Sequence, residues 1–236
     1  MKKNKRVITL LLCASMFLGL TGCGMSEKQE MTILVQGNID QIYKGIITEA
    51  YLDVIEGTLE ECEKNYKESM EIEADYLAYY WGMYEEDKGE TFEILEEDLQ
   101  DNIIEFCEEM LQKTKYKAQE AVPQVDGSYT VKLVIEPLDI MQLADEMYSN
   151  DTYEPLNKFW EKYAELDLET LPEAKYVMYT NEYAEIIMQM LWELLPKAGY
   201  MESKNQSVQI EMDTDGKYAI NEDDWTRINE TLVYYP

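Results

Sequence analysis

The stretch Asp126-Gly127-Ser128-Tyr129-Thr130-Val131-Lys132-Leu133-Val134-Ile135-Glu136 decides the fold class. Tyr129, Val131, Leu133 and Ile135 fall on one side of an extended chain, and Thr130, Lys132 and Glu136 on the other, with Val134 the exception. A period of two means a half-buried antiparallel strand. Asp126-Gly127 supplies the positive-φ turn that pairs it with a weaker strand around Lys117 to Val122, and Pro137 ends the run. On both sides of this hairpin the apolar period is that of a helix, so the chain reads as α+β, with long amphipathic helices packed on antiparallel hairpins.

Moving toward the N-terminus, Ile39, Ile42, Ile46, Ala50 and Val54 predict a helix over 39–55 that stops at Gly57. Thr58 and Glu61 form a capping-box pattern for a second helix, which runs to the aromatic cluster Tyr76, Tyr79, Tyr80, Trp81 and Tyr84. Phe92, Leu95, Leu99, Ile103, Phe106, Cys107, Met110 and Leu111 stripe a third. Beyond the hairpin, helical pattern covers Leu138 to Met147 and Pro155 to Leu166. Thr170, Pro172 and Glu173 then predict the start of a long helix reaching Leu195. A second hairpin alternates Val208, Ile210 and Met212, turns at Asp215-Gly216 and returns through Tyr218 and Ile220; Asp223-Asp224-Trp225 opens a last helix.

The pattern occurs twice. Leu111-Gln112-Lys113-Thr114-Lys115-Tyr116 matches Leu195-Pro196-Lys197-Ala198-Gly199-Tyr200 as L-x-K-x-x-Y, and each copy leads to a D-G-x-Y turn. A duplicated helix and hairpin unit is the expectation, divided as 39–149 and 150–236. The arrangement resembles the helix-against-sheet packing of cystatin-like and NTF2-like domains.

The 236 residues are 46% apolar, enough for a packed core, and 49 acids against 20 bases give a net charge of −29. Such a field disfavours nucleic acid as a partner. No histidine is present, which removes imidazole bases, Ser/His and Cys/His nucleophile systems and imidazole metal sites.

Lys2, Lys3, Lys5 and Arg6 precede an apolar run from Val7 to Leu20, the pattern of an export signal and too short to span a bilayer. It ends in Leu20-Thr21-Gly22-Cys23, which resembles the lipobox of bacterial lipoproteins. The resemblance implies a signal peptide over 1–22, cleavage before Cys23 and a lipid on its sulfur. It also implies a location on the outer face of the cell membrane, with the bilayer a partner through the acyl anchor. The chain is similar in style to cell-surface lipoproteins of Gram-positive bacteria. Loss of the leader removes four bases and no acid, so 16 bases face 49 acids and the balance becomes −33. Residues 23–38 are read as the lipidated N-terminus and its tether, with Gly24 to Glu30 polar enough to let the domain stand off the membrane.

In the mature chain Cys62 and Cys107 remain, either as a disulfide or as two buried thiols. Glu211, Asp213, Asp215, Lys217 and Glu222 stand at calcium-loop spacing around Gly216, and an ordinary hairpin explains the same residues. Tyr76, Tyr79, Tyr80, Trp81 and Tyr84, with acids nearby, are either helix core or an aromatic platform for sugars or cations. No catalytic residue and no required cofactor is read. The functional expectation is a non-enzymatic lipoprotein that binds an envelope protein, a peptide or a cationic ligand. A carboxylate-dependent cell-wall glycan enzyme and a calcium-dependent surface module are the alternatives.

Overall fold

Ser26 and Gln29 start the first helix: the Gln29 backbone N–H donates to Ser26 Oγ at 3.4 Å, and the Ser26 N–H donates to Gln29 Oε1 at 3.0 Å. The computed structural model describes residues 25–85, 88–212 and 217–236. The signal peptide and Cys23 therefore lie outside the described residues. Helix α1 (Glu27–Lys44) buries Met31, Leu34 and Val35, which corrects the expected tether. Residues 27–38 belong to the folded domain, because Ser26-x-x-Gln29 caps a helix that a purely compositional reading of GMSEKQE misses.

The helix expected over 39–55 is two. Helix α1 ends at Gly45, whose φ of +61° is the left-handed cap that glycine accepts without strain. Helix α2 (Glu49–Ile55) restarts on Thr48, whose side chain accepts from the Tyr51 N–H. The chain folds back so that the Tyr51 ring lies on Gly37: a Cβ there would stand 2.2 Å from Tyr51 Cδ2. The Tyr51 hydroxyl is within hydrogen-bond distance of Gln41 Oε1 at 2.9 Å and Asn38 Oδ1 at 3.2 Å, and Gln41 Nε2 donates to the Cys62 carbonyl.

Helix α3 (Leu59–Tyr80) opens on the Thr58–Glu61 capping box, and α4 (Glu97–Gln112) follows a 3-10 turn at Phe92–Ile94. The expected stripe from Leu99 to Leu111 is buried, while Phe92 lies ahead of the helix. Cys62 on α3 and Cys107 on α4 are both buried and are not joined, so the disulfide alternative is corrected. Each thiol serves as a small apolar side chain of the core.

The sheet contains β1 (Lys115–Ala118), β2 (Val122–Pro123), β3 (Tyr129–Glu136), β4 (Lys204–Met212) and β5 (Tyr218–Ile220). All its pairings are antiparallel, in the order β1-β3-β4-β5, with β2 also on β3. Ala118 faces Leu133 and Val122 faces Thr130, so the first strand carries one residue too many between them and splits in two. The two expected hairpins join edge to edge through β3 and β4, from Tyr129 opposite Ile210 to Ile135 opposite Lys204. The buried face (Tyr129, Val131, Leu133, Ile135, Val208, Ile210) lies against α1 and α8 (Glu222–Leu232).

The segments 39–149 and 150–236 thus share one sheet and one apolar core. Their L-x-K-x-x-Y copies take unequal places. Tyr116 lies inside β1 with its hydroxyl on Asp40, whereas Tyr200 precedes β4, bridges to Leu138 and donates to the Lys113 carbonyl. Helices α5 (Ile140–Ser149) and α6 (Glu154–Tyr163) lead to α7 (Glu173–Leu194). The last is capped at Pro172 without a side-chain bond; Thr170 sits instead in the 3-10 turn Leu168–Thr170.

Replacing Gly37 by alanine forces a methyl group into the Tyr51 ring. Overpacking of this kind costs about 1 to 3 kcal/mol. Urea denaturation of Gly37→Ala is expected to show that loss, with an unchanged slope.

Candidate functional site

Helix α3 ends at an aromatic corner. The Gly82 N–H donates to the Tyr79 carbonyl at 3.1 Å and the Met83 N–H reaches back to Ala78 at 2.9 Å, a Schellman pair that requires the left-handed φ of +67° at Gly82. This abrupt stop swings Met83, Tyr84 and Glu85 away from the helix axis beside Trp81. Across from them stand Asp145 and Tyr148 of α5, Trp160 of α6, and Tyr176, Tyr179 and Tyr183 of α7; together they enclose a cavity of about 570 Å³.

The ring geometry is dense. Trp81 lies 5.5 Å from Tyr80 in an edge-on contact and 5.8 Å from Tyr148. Trp160 lies 5.6 Å from Tyr183, and Phe159 backs the wall at 5.6 Å from Tyr183 and 5.0 Å from Tyr179. Several hydroxyls are committed elsewhere: Tyr183 donates to the Trp81 carbonyl at 2.8 Å, Tyr84 to Asp75 Oδ1 at 2.6 Å and Tyr80 to the Pro236 carbonyl at 3.0 Å. With those polar ends bound, the rings present faces, and an aromatic face is negative.

The carboxylates add to that field. Burial, with the Asp145 charge next, pushes the Tyr80 phenol up to about 12. Burial and then Glu85 raise Tyr179, while Tyr176 is raised by burial and by its hydrogen bond with Glu90. Among the described residues that line the cavity, none is basic. At its edge Lys88 holds its ammonium 3.0 Å from Glu85 Oε1 and 5.0 Å from the centre of the Tyr176 ring. The chain itself thus places an alkylammonium between a carboxylate and an aromatic face.

Of the platform residues read from sequence, Tyr80, Trp81 and Tyr84 line the cavity. Tyr76 does not: it packs on Tyr235 at 5.1 Å and on Tyr80. Tyr79 packs on Tyr84 behind the wall. The missed half comes from α5, α6 and α7. Tyr176, Tyr179 and Tyr183 follow helical spacing, which marks a shared face but says nothing of what it meets.

The calcium-loop residues divide. Glu211 sits in β4 opposite Ala219, Lys217 precedes β5 and Glu222 is the first residue of α8, whereas Asp213 and Asp215 lie outside the described residues. Met212 pairs with Tyr218, so the segment is a β-hairpin, and strands flank the turn where a calcium loop of this type carries helices. No group of three acidic or cysteine side chains suited to a metal ion occurs among the described residues.

No protein-family model matches this chain, and no curated protein matches it in sequence. Its structure is similar to the crystal structure of a "putative lipoprotein (ycdA)" from Bacillus subtilis subsp. subtilis str. 168, with a TM-score of 0.52 and 13% identity. The match covers 86% of this chain and 56% of that one, so the chain spans a little over half the length of the protein it resembles. At that identity the likeness is one of fold.

The raised phenols set an expected titration. Tyr80 holds its proton to about pH 12, against about 10 for a free phenol. A group raised in the folded state contributes stability below its unfolded pKa and loses it as pH climbs through the folded one. Tyrosinate absorbance is therefore expected to lag that of the unfolded chain between about pH 10 and 12, and Tyr80→Phe to remove part of the lag.

Proposed function

We propose that this chain is a lipid-anchored extracytoplasmic lipoprotein domain that binds a cationic ligand, free or as a peptide side chain, in the aromatic and acidic cavity, without catalysing a reaction. The anchor rests on Leu20-Thr21-Gly22-Cys23 behind a basic and apolar leader. The fold shared with a Bacillus subtilis protein described as a lipoprotein supports the same compartment. Among the described residues no helix is long and apolar enough to cross a membrane.

The observation that carries the ligand class is Lys88. Its ammonium over the Tyr176 ring and beside Glu85 is the contact that an external organic cation would make deeper in the cavity, against Trp81, Tyr148 and Asp145. A cation over an aromatic face gains about 0.5 to 2 kcal/mol, most when water is excluded. The acidic surface raises the local concentration of such ligands before they dock.

Cys23→Ser is expected to move the protein from the membrane fraction to the soluble one. Choline and lysine-containing peptides are expected to change the tryptophan emission of the purified domain, whereas the uncharged carbon isostere of choline leaves it unchanged. Asp145→Asn and Trp160→Ala each weaken that response about tenfold if a single contact of this size is lost. Equal binding of the charged and uncharged probes would remove the cationic reading.

Glu85 and Asp145 on one cavity also favour a second reading, a carboxylate-dependent glycan enzyme. Release of reducing ends from purified cell-wall glycan, abolished by both Glu85→Gln and Asp145→Asn, would put that reading first.

A further inference from the structure

The N-terminus of α1 sits at one end of the sheet. Tyr129, the first residue of β3, donates from its hydroxyl to Glu27 Oε2 at 2.6 Å, and the Ala121 N–H donates to Thr32 Oγ1 at 2.9 Å. The β2–β3 turn closes the same end, with Gly127 at φ +89° and its carbonyl 3.5 Å from the Tyr218 hydroxyl. Strand β4 also runs out here, since Ile210 faces Tyr129 and Met212 lies two residues beyond.

Three large apolar side chains stand out from this end. Val125 at the turn is fully exposed, Val122 is 57% exposed and Met212 is 54% exposed. Val122 follows Ala121, which Thr32 of α1 holds, and Met212 lies two residues past the partner of Tyr129, which Glu27 holds, so α1 begins beside them. From Cys23 to the cap residue Ser26 the chain can reach only about 10 Å, at roughly 3.5 Å per residue. A lipid on Cys23 therefore cannot hold this domain away from the bilayer.

We infer that the end of the sheet formed by Val122, Val125 and Met212 rests in the headgroup layer of the bilayer, beside the lipid on Cys23. The inference rests on the lipid anchor proposed above. The partner is the lipid surface because the anchor brings it within reach of this end and because the exposed groups are aliphatic. Contact is shallow. Asp126 carries its charge at the same tip, its carboxyl held below the usual range by the Ser128 hydroxyl and N–H, and Glu27 and Lys28 stand nearby. Charged groups at this level keep the turn at the interface and leave only the aliphatic side chains to dip between headgroups.

The test uses the full lipidated chain in vesicles of phosphatidylethanolamine and phosphatidylglycerol doped with brominated lipid, which quenches a nearby bimane dye. Cys62 and Cys107 are buried, so a single introduced thiol takes the label. Bimane at Val125→Cys or Met212→Cys is expected to be quenched. Bimane at Ser203→Cys, next to the far end of β4 and about 30 Å from Met212 along the strand, is expected to keep its emission. If the protein floats with the vesicles and positions 125 and 212 are quenched no more than 203, the orientation is wrong and the anchor stands. If the chain does not float with them, the anchor itself falls and this inference falls with it. All three positions are exposed, and far-ultraviolet circular dichroism of each labelled variant confirms that the fold persists.

Discussion

The contact on which the rest of the structure depends is the Tyr51 ring pressed on Gly37. A 2.2 Å approach to a position that only a hydrogen can occupy lets α2 lie flat on α1. The Tyr51 hydroxyl then meets the buried side chains of Asn38 and Gln41, polar groups that cost about 1 to 3 kcal/mol each when left unmet. With that side satisfied, α1 can be surrounded. It meets α3 and α4 on its other faces and lies against β1 and β3, so one helix organises both the helical layer and the sheet.

That central position explains which parts of the fold were legible in the sequence. Where a segment has one wet face, its period shows: the alternation of β3, the stripe of α4 and the Thr58–Glu61 box of α3 all stand as expected. Helix α1 is buried over more than one face, including Gly37, Asn38 and Gln41, so its period is blurred and composition alone assigns its residues up to 38 to a tether. Its true start was encoded in a cap, Ser26 and Gln29, rather than in hydrophobicity. The two hairpins were legible as hairpins. Their union was not, because strand pairing across some seventy intervening residues has no local signature.

The cavity follows the same division. Tyr80, Trp81 and Tyr84 were readable as an aromatic cluster on one helix end, and the Gly82 stop that turns them inward is a local signal as well. The opposite wall needed the tertiary fold. Nineteen tyrosines are spread through the chain, so the spacing of Tyr176, Tyr179 and Tyr183 does not by itself separate wall from core. What separates them is where the hydroxyls go. Tyr183 reaches back to the Trp81 carbonyl and ties α7 to the end of α3, so the same bond that closes the core also holds two cavity rings in place.

The lack of histidine then acquires a positive meaning. A cavity whose walls include phenols raised above their ordinary values, and which contains no imidazole, has no aromatic group that changes charge across the neutral range. A neutral phenol ring attracts a cation equally across the neutral range, and burial moves the ionisation of these phenols still further above it. If the proposed lipid anchor places the domain outside the cell, such walls would offer an ammonium group the same attraction at whatever pH the surroundings impose. A site built on histidine would switch. The rings here do not titrate in that range, and Lys88, charged throughout it, already lies over one of them, Tyr176, beside Glu85.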